Sequence, residues 1–173
     1  MRRLTLCAAL WGALAAGCSP ALDWREVRPE GSGAQALFPC KPKSHSRPVR
    51  LGGATVTMTM VACDTEGMTF ALGHADIGDP VQVGAALAGL RQALADNLRT
   101  SEERALPLAV PGATPNPQAA RVWIRGTLPD GSAMTEQAGF FVRGTRVYQV
   151  VVLGAAVDEA AAAVFFDSLR LPA

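Results

Sequence analysis

On an extended strand, residues two positions apart point to the same side. His74 and Asp76 stand in that relation. A histidine base oriented by a carboxylate is therefore one chemistry open to this chain. A nucleophile is harder to find: serines and threonines are plentiful, but no Gly-x-Ser-x-Gly elbow occurs. A hydrogen-bonded structural histidine accounts for the same two residues. A second constellation is Met58, Met60, Met68 and His74, on two strands of one expected hairpin. Thioether and imidazole ligands suit copper, while methionines at alternate strand positions serve equally as core filler. The spacings that bind zinc are absent, as are the glycine signatures of nucleotide sites. Arg121 and Arg125 share one face of a strand and are candidates for contact with an acidic partner; solvated side chains explain them as well. None of this amounts to a catalytic centre, so the expectation is a non-enzyme with no cofactor. A hydrolase built on His74 is the least favoured class.

The elements that must position these residues follow from periodicity. Asp23–Val27 alternates as a short strand, with Trp24 and Val27 as core contacts. Ala34–Phe38 is a second strand, stopped by Pro39, and a polar loop runs from there to Arg50. Thr55–Cys63 alternates with period two, Val56, Met58, Met60 and Ala62 sharing one face. After a turn at Asp64–Gly67, Met68–Ala75 returns with Phe70, Leu72 and His74 on one side. Asp79 and Pro80 form a helix start. Val83, Leu87, Leu90, Leu94 and Leu98 then make an apolar stripe through Arg99. A proline-rich loop covers Leu106–Pro117, and an edge strand is expected to begin it. Three strands follow, Ala120–Leu128, Ala133–Val142 and Arg146–Leu153, the last apolar on both faces and so central. A helix over Asp158–Leu169 closes the chain. Tight turns argue antiparallel pairing. The expected class is α+β, a mainly antiparallel sheet packed by two helices.

The first eighteen residues carry an address. Arg2 and Arg3 precede Leu4–Ala16, an uncharged run of 13 residues. That is the layout of a secretory signal, and the run is too short to span a bilayer. It ends in Leu14-Ala15-Ala16-Gly17-Cys18, which resembles the lipobox of bacterial lipoproteins. Ala15 stands where leucine is commoner. The resemblance implies cleavage before Cys18 and acyl chains on that cysteine, enough for stable anchoring. An ordinary signal cut near Ala16 is the alternative. Ser19, in place of aspartate, favours the outer membrane over the inner. The expected organisation is a signal peptide at 1–17, a lipidated tether at 18–22 and a single periplasmic domain at 23–173.

Cleavage leaves 156 of the 173 residues and turns a formal charge of +1 into −1. Such a balance gives no electrostatic case for nucleic acid. Of four cysteines, Cys7 leaves with the signal and Cys18 takes the lipid. Cys40 and Cys63 remain as an even pair in an oxidising compartment, and a disulfide between them is expected. Two separate buried thiols are the alternative.

The body carries Ala36-Leu37-Phe38-Pro39-Cys40-Lys41-Pro42, Arg146-Val147-Tyr148-Gln149-Val150 and Val164-Phe165-Phe166-Asp167-Ser168-Leu169-Arg170-Leu171. These segments resemble the PsbP-like α/β/α sandwich of small lipoproteins and extrinsic photosystem proteins. That resemblance implies no catalytic signature, and relatives mostly bind or support other proteins. The leading expectation is a non-catalytic, membrane-anchored envelope lipoprotein that docks another envelope protein. The alternative is capture of a small ligand or copper between the sheet and the long helix, with Met58, Met60 and His74 as the metal candidates.

Overall fold

A strand with apolar side chains on both faces needs a core on each side, and Arg146–Gly154 has both. The computed structural model describes residues 22–172, so Cys18 and the expected signal lie outside the described residues. The strands are β1 (Arg25–Val27), β2 (Ala36–Phe38), β3 (Lys43–Leu51), β4 (Ala54–Thr65), β5 (Met68–Asp76), β6 (Arg99–Leu106), β7 (Ala120–Thr127), β8 (Ala133–Arg143) and β9 (Arg146–Gly154). The helices are α1 (Val83–Asn97), entered through a 3-10 turn at Pro80–Gln82, and α2 (Glu159–Asp167). Strands β3 to β9 form one antiparallel sheet in the order β3-β4-β5-β9-β8-β7-β6. Two meanders thus meet at β5 and β9, and α1 carries the chain from β5 to the far edge.

Alternation along the central strands sorts side chains into two cores. Ala71, Ala75, Val147, Val151, Ala138 and Phe140 pack with Leu87, Leu90 and Leu94 of α1. Phe70, Leu72, Tyr148, Val150 and Val152 pack with Phe165 and Phe166 of α2. The two helices therefore cover opposite faces, giving three layers. The small β1–β2 sheet lies on the α2 side. There Phe165 meets Phe38 and Phe70 edge-on at 5.0 and 5.5 Å, a favoured aromatic geometry.

Side-chain caps fix the helix starts. Asp158 accepts from the backbone N–H groups of Ala160 and Ala161, satisfying donors that a helix start leaves free. Asp79 does the same for Val81, but the turn it caps is 3-10, and the α-helix proper starts at Val83. At the other end Leu98 is extended, so α1 stops at Asn97 instead of running through Arg99. Ser168 donates to the Phe165 carbonyl (2.7 Å) and accepts from Leu37 N–H (2.8 Å), tying α2 to β2. The Tyr148 hydroxyl donates to the Ser32 carbonyl at 2.6 Å and clasps the β1–β2 connection to the sheet.

Two expectations are corrected. The polar loop expected to run to Arg50 contains β3, and residues 99–106, of which only Arg99 was given to the helix and Leu106 to the proline-rich loop, form β6. Both are edge strands with mostly exposed side chains. Apart from Val49 and Leu51 of β3 their side chains meet neither core, so no apolar alternation marks them. Pro48 fits an edge, where a missing N–H costs least. The edge strand expected at the start of the proline-rich loop thus lies before it. In that loop Gly112 has φ +85°, and a β-carbon there would sit 2.0 Å from the Leu171 carbonyl oxygen; only glycine fits.

Cys40 and Cys63 are disulfide-bonded, with Cα atoms 6.0 Å apart. The bond ties the segment after β2 to β4 on the α2 side. Among the described residues no helix is long and apolar enough to cross a membrane. The bonded cysteines are 23 positions apart, and closing a loop of that size constrains the unfolded chain by about 3 kcal/mol. Replacing both with alanine is expected to lower unfolding stability by that amount in urea titrations. Equal midpoints with and without the bond would show that it does not constrain the unfolded chain.

Candidate functional site

Strand β4 places Met58 and Met60 on the α1 side, and Met60 pairs with Gly73 of β5. A β-carbon at Gly73 would lie 2.9 Å from Met58 Cε and 3.0 Å from Met60 Cε. The glycine gives the two thioether chains their room. Gln149 of β9 pairs with Gly73, and Glu136 of β8 pairs with Leu153. On β3, His45 and Arg47 pair with Met60 and Met58 and extend the floor into a basic wall. The roof is the second half of α1, where Gly89 and Ala93 are small. Between roof and floor lies an open-mouthed cavity of about 570 Å³, lined also by Val49, Arg50, Leu51, Leu90, Leu94, Asn97 and Val151.

Two polar side chains interrupt the apolar floor. Among the described residues, neither Glu136 nor Gln149 has a side-chain hydrogen bond or ion pair. Glu136 is only 7 % exposed. Burial alone pushes its pKa from 4.5 up to about 7, because a low-dielectric site disfavours the charged carboxylate. A buried acid without a partner at a cavity wall marks a functional-site candidate. The cavity can take a molecule with a mainly apolar body and a polar group for Glu136 or Gln149.

The sequence-derived candidates fall in other places. His74 pairs with Thr59, the residue between Met58 and Met60. It therefore lies on the α2 side, with the sheet between it and both methionines. The proposed copper set is split by strand alternation, and Met68 also faces the α2 core. Among the described residues no group of three or more His, Cys, Asp or Glu is placed to hold a metal.

The His74–Asp76 pair is also separated by its partners. His74 is 8 % exposed and hydrogen-bonds the Glu30 backbone, and its Nε2 has no partner among the described residues. Burial, then the charge of Arg146, lowers its pKa and so favours the neutral ring. Asp76 is occupied by the Thr145 hydroxyl (2.7 Å), the Gly78 N–H (3.0 Å) and Arg146 (3.5 Å). Those contacts, Thr145 first, hold its carboxyl below the usual range. The pair fixes a turn, and nothing here orients the histidine as a base.

Arg121 and Arg125 do share the face expected of them, but only one is open. Arg121 stacks on Phe166 of α2 at 3.8 Å and donates to Gln137 at 2.7 Å. Arg125 is exposed and lies 5.1 Å from the Trp123 ring, which Arg104 covers at 4.1 Å. Sequence reading missed Arg104, Glu136 and the β3 wall. The signal for Glu136 was present: it shares a strand face with Ala138, Phe140 and Val142, where an acid is out of place.

Glu136 gives the fold a pH dependence whose sign is fixed. Its folded pKa is about 7 against 4.5 for the free side chain. Stability is greatest below 4.5, where folded and unfolded chains both hold the proton, and it falls as pH rises to about 7. The gap corresponds to on the order of 3 kcal/mol. Glu136→Gln is therefore expected to raise the melting temperature at pH 8 and to leave it nearly unchanged at pH 4. Thermal unfolding of both proteins at the two pH values checks this; equal shifts at both would mean that the acid's charge is not the cause. No protein-family model matches this sequence, and no curated protein is significantly similar to it.

Proposed function

We propose that this chain is a lipid-anchored envelope protein whose domain holds a small, largely apolar molecule beneath α1, without acting on it chemically. The carrying observation is the cavity of about 570 Å³ with the unpartnered, buried Glu136 on its wall. Pockets for small molecules are mostly apolar with a few placed polar groups, and this one has that character. The proposed anchor rests on Cys18 and the lipobox-like residues before it. The PsbP-like reading of the domain is supported by a central antiparallel sheet with a helix on each face. The lipobox-like residues support a location at the cell envelope, facing the periplasm, and Ser19 favours the outer membrane.

A second reading, docking of an envelope protein, draws on one observation. Arg104 and Arg125 flank Trp123 beside the exposed edge strand β6. Arg and Trp are residues that often anchor interfaces. Arg121, the other expected contact, is turned under α2.

The test uses the neutral fluorescent probe N-phenyl-1-naphthylamine. Saturable binding is expected, weakened by at least about tenfold in Ala93→Trp. Ala93 is exposed at the cavity mouth, so the bulky ring obstructs entry at little cost to folding. Non-saturable partitioning, or equal binding by the variant, would overturn the ligand site. The anchor is tested separately: Cys18→Ala is expected to lose acyl mass and membrane association, and membrane-bound, normally processed variant would refute it.

A further inference from the structure

We propose that the ligand of this cavity is an apolar amine, a hydrocarbon or aromatic body bearing a protonated nitrogen that pairs with the Glu136 carboxylate. The inference rests on the ligand-site reading above and adds the ligand's chemistry. Its starting point is a comparison within one row of the sheet. Glu103 pairs with Ile124, and Ile124 pairs with Glu136, so the two acids lie in the same row, two strands apart. Glu103 has a cation, since Arg91 of α1 reaches it at 2.9 Å. Glu136 has none among the described residues and is 7 % exposed at the cavity wall.

Among the described residues no backbone group donates to Glu136. Strand β8 is paired on both sides, so its neighbouring N–H groups are used in the ladders. Leu153 stands opposite it on β9, and Val151 and Leu94 line the same cavity. A buried carboxylate in such surroundings gains most from a charged donor. In water the same pair would be worth little, but exclusion of solvent strengthens it.

The basic groups of the cavity stand elsewhere. His45, Arg47 and Arg50 line it from the β3 edge. Strand β3 is four strands from β8, about 19 Å at ~4.8 Å per strand. They are exposed or nearly so, and at that distance their charges are screened by salt. Helix α1 contributes no ionisable residue to the lining, and its Arg91 is committed to Glu103. The ligand's nitrogen is thus drawn to the β8 end, with its apolar body over Met60, Val151 and Leu153.

The experiment is displacement of N-phenyl-1-naphthylamine from the full chain by decylamine, decanol and decanoate. The chain carries Cys18→Ser so that no acyl chains compete. At pH 8 decylamine is expected to displace the probe at about one-tenth the decanol concentration, an advantage typical of one charge-assisted hydrogen bond. In Glu136→Gln the ratio of the decanol and decylamine displacing concentrations falls to about one. It also shrinks toward pH 6, because Glu136, with its pKa near 7, is then mostly protonated. Decylamine no better than decanol would overturn the amine assignment, with the ligand site intact. So would an advantage kept in Glu136→Gln. Preference for decanoate would overturn it in favour of an anionic head on the β3 arginines. Failure of the probe and all three competitors to bind would remove the ligand site and this inference together.

Discussion

Strand β9 is buried on both faces, so each of its apolar residues belongs to one of two cores, and the pleat decides which. Val147 and Val151 go to α1, while Tyr148, Val150 and Val152 go to α2. A shift of one residue would exchange the two sets. Its neighbours β5 and β8 inherit the sorting through unbroken antiparallel registers. Everything that distinguishes the two sides of this protein follows from it: the disulfide, the aromatic cluster and the β1–β2 sheet on one, the cavity on the other. The same sorting separates Met58 and Met60 from His74.

The cavity arises from a mismatch between helix and sheet. A 15-residue helix is about 22 Å long, and seven strands are about 29 Å across. One helix on that face cannot cover all of it. The rows nearest the β4–β5 turn, with Met60, Ala62 and Leu153, are left only partly buried. On the opposite side α2 is shorter, but β1, β2 and the proline-rich segment fill the remainder. A face left open beside a buried, unpaired acid lowers stability and does nothing for the packing. Sites that depart from the packing rules in this way are where function is expected.

How much of this was legible in the sequence depended on burial. The strand around Val56–Ala62 showed a period-two pattern because one face meets a core, and Val147–Val152 showed an apolar run because both faces do. β3 and β6 showed neither, since Lys43–Arg50 and Arg99–Ala105 meet almost none. The cysteine pairing was readable by counting alone. The side of His74 relative to Met60 was not, because it depends on hairpin register. That register is set by a two-residue turn in which Glu66 and Gly67 have φ of 50° and 71°, the type I′ geometry that closes tight hairpins. The turn pairs Thr65 with Met68 and thereby places Thr59, not Met58 or Met60, beside His74. Glu136 was legible as an acid on an apolar strand face, but the cavity beside it depends on where α1 lies and was not.

Met58 and Met60 lie apart from His74, and facing the cavity gives them a role of their own. A thioether chain is unbranched and polarisable, with several rotors of similar energy. Met58 and Met60 converge over Gly73, where the missing side chain leaves them free to shift. Valine or isoleucine at those positions would present a fixed surface, since branching at Cβ restricts χ1. The floor under α1 is therefore deformable at its centre and rigid at its ends, where paired strands hold Glu136 and the β3 wall. A site built this way fixes the polar end of a ligand and tolerates variety in its apolar body, so selectivity should reside in the head group more than in the shape of the hydrocarbon.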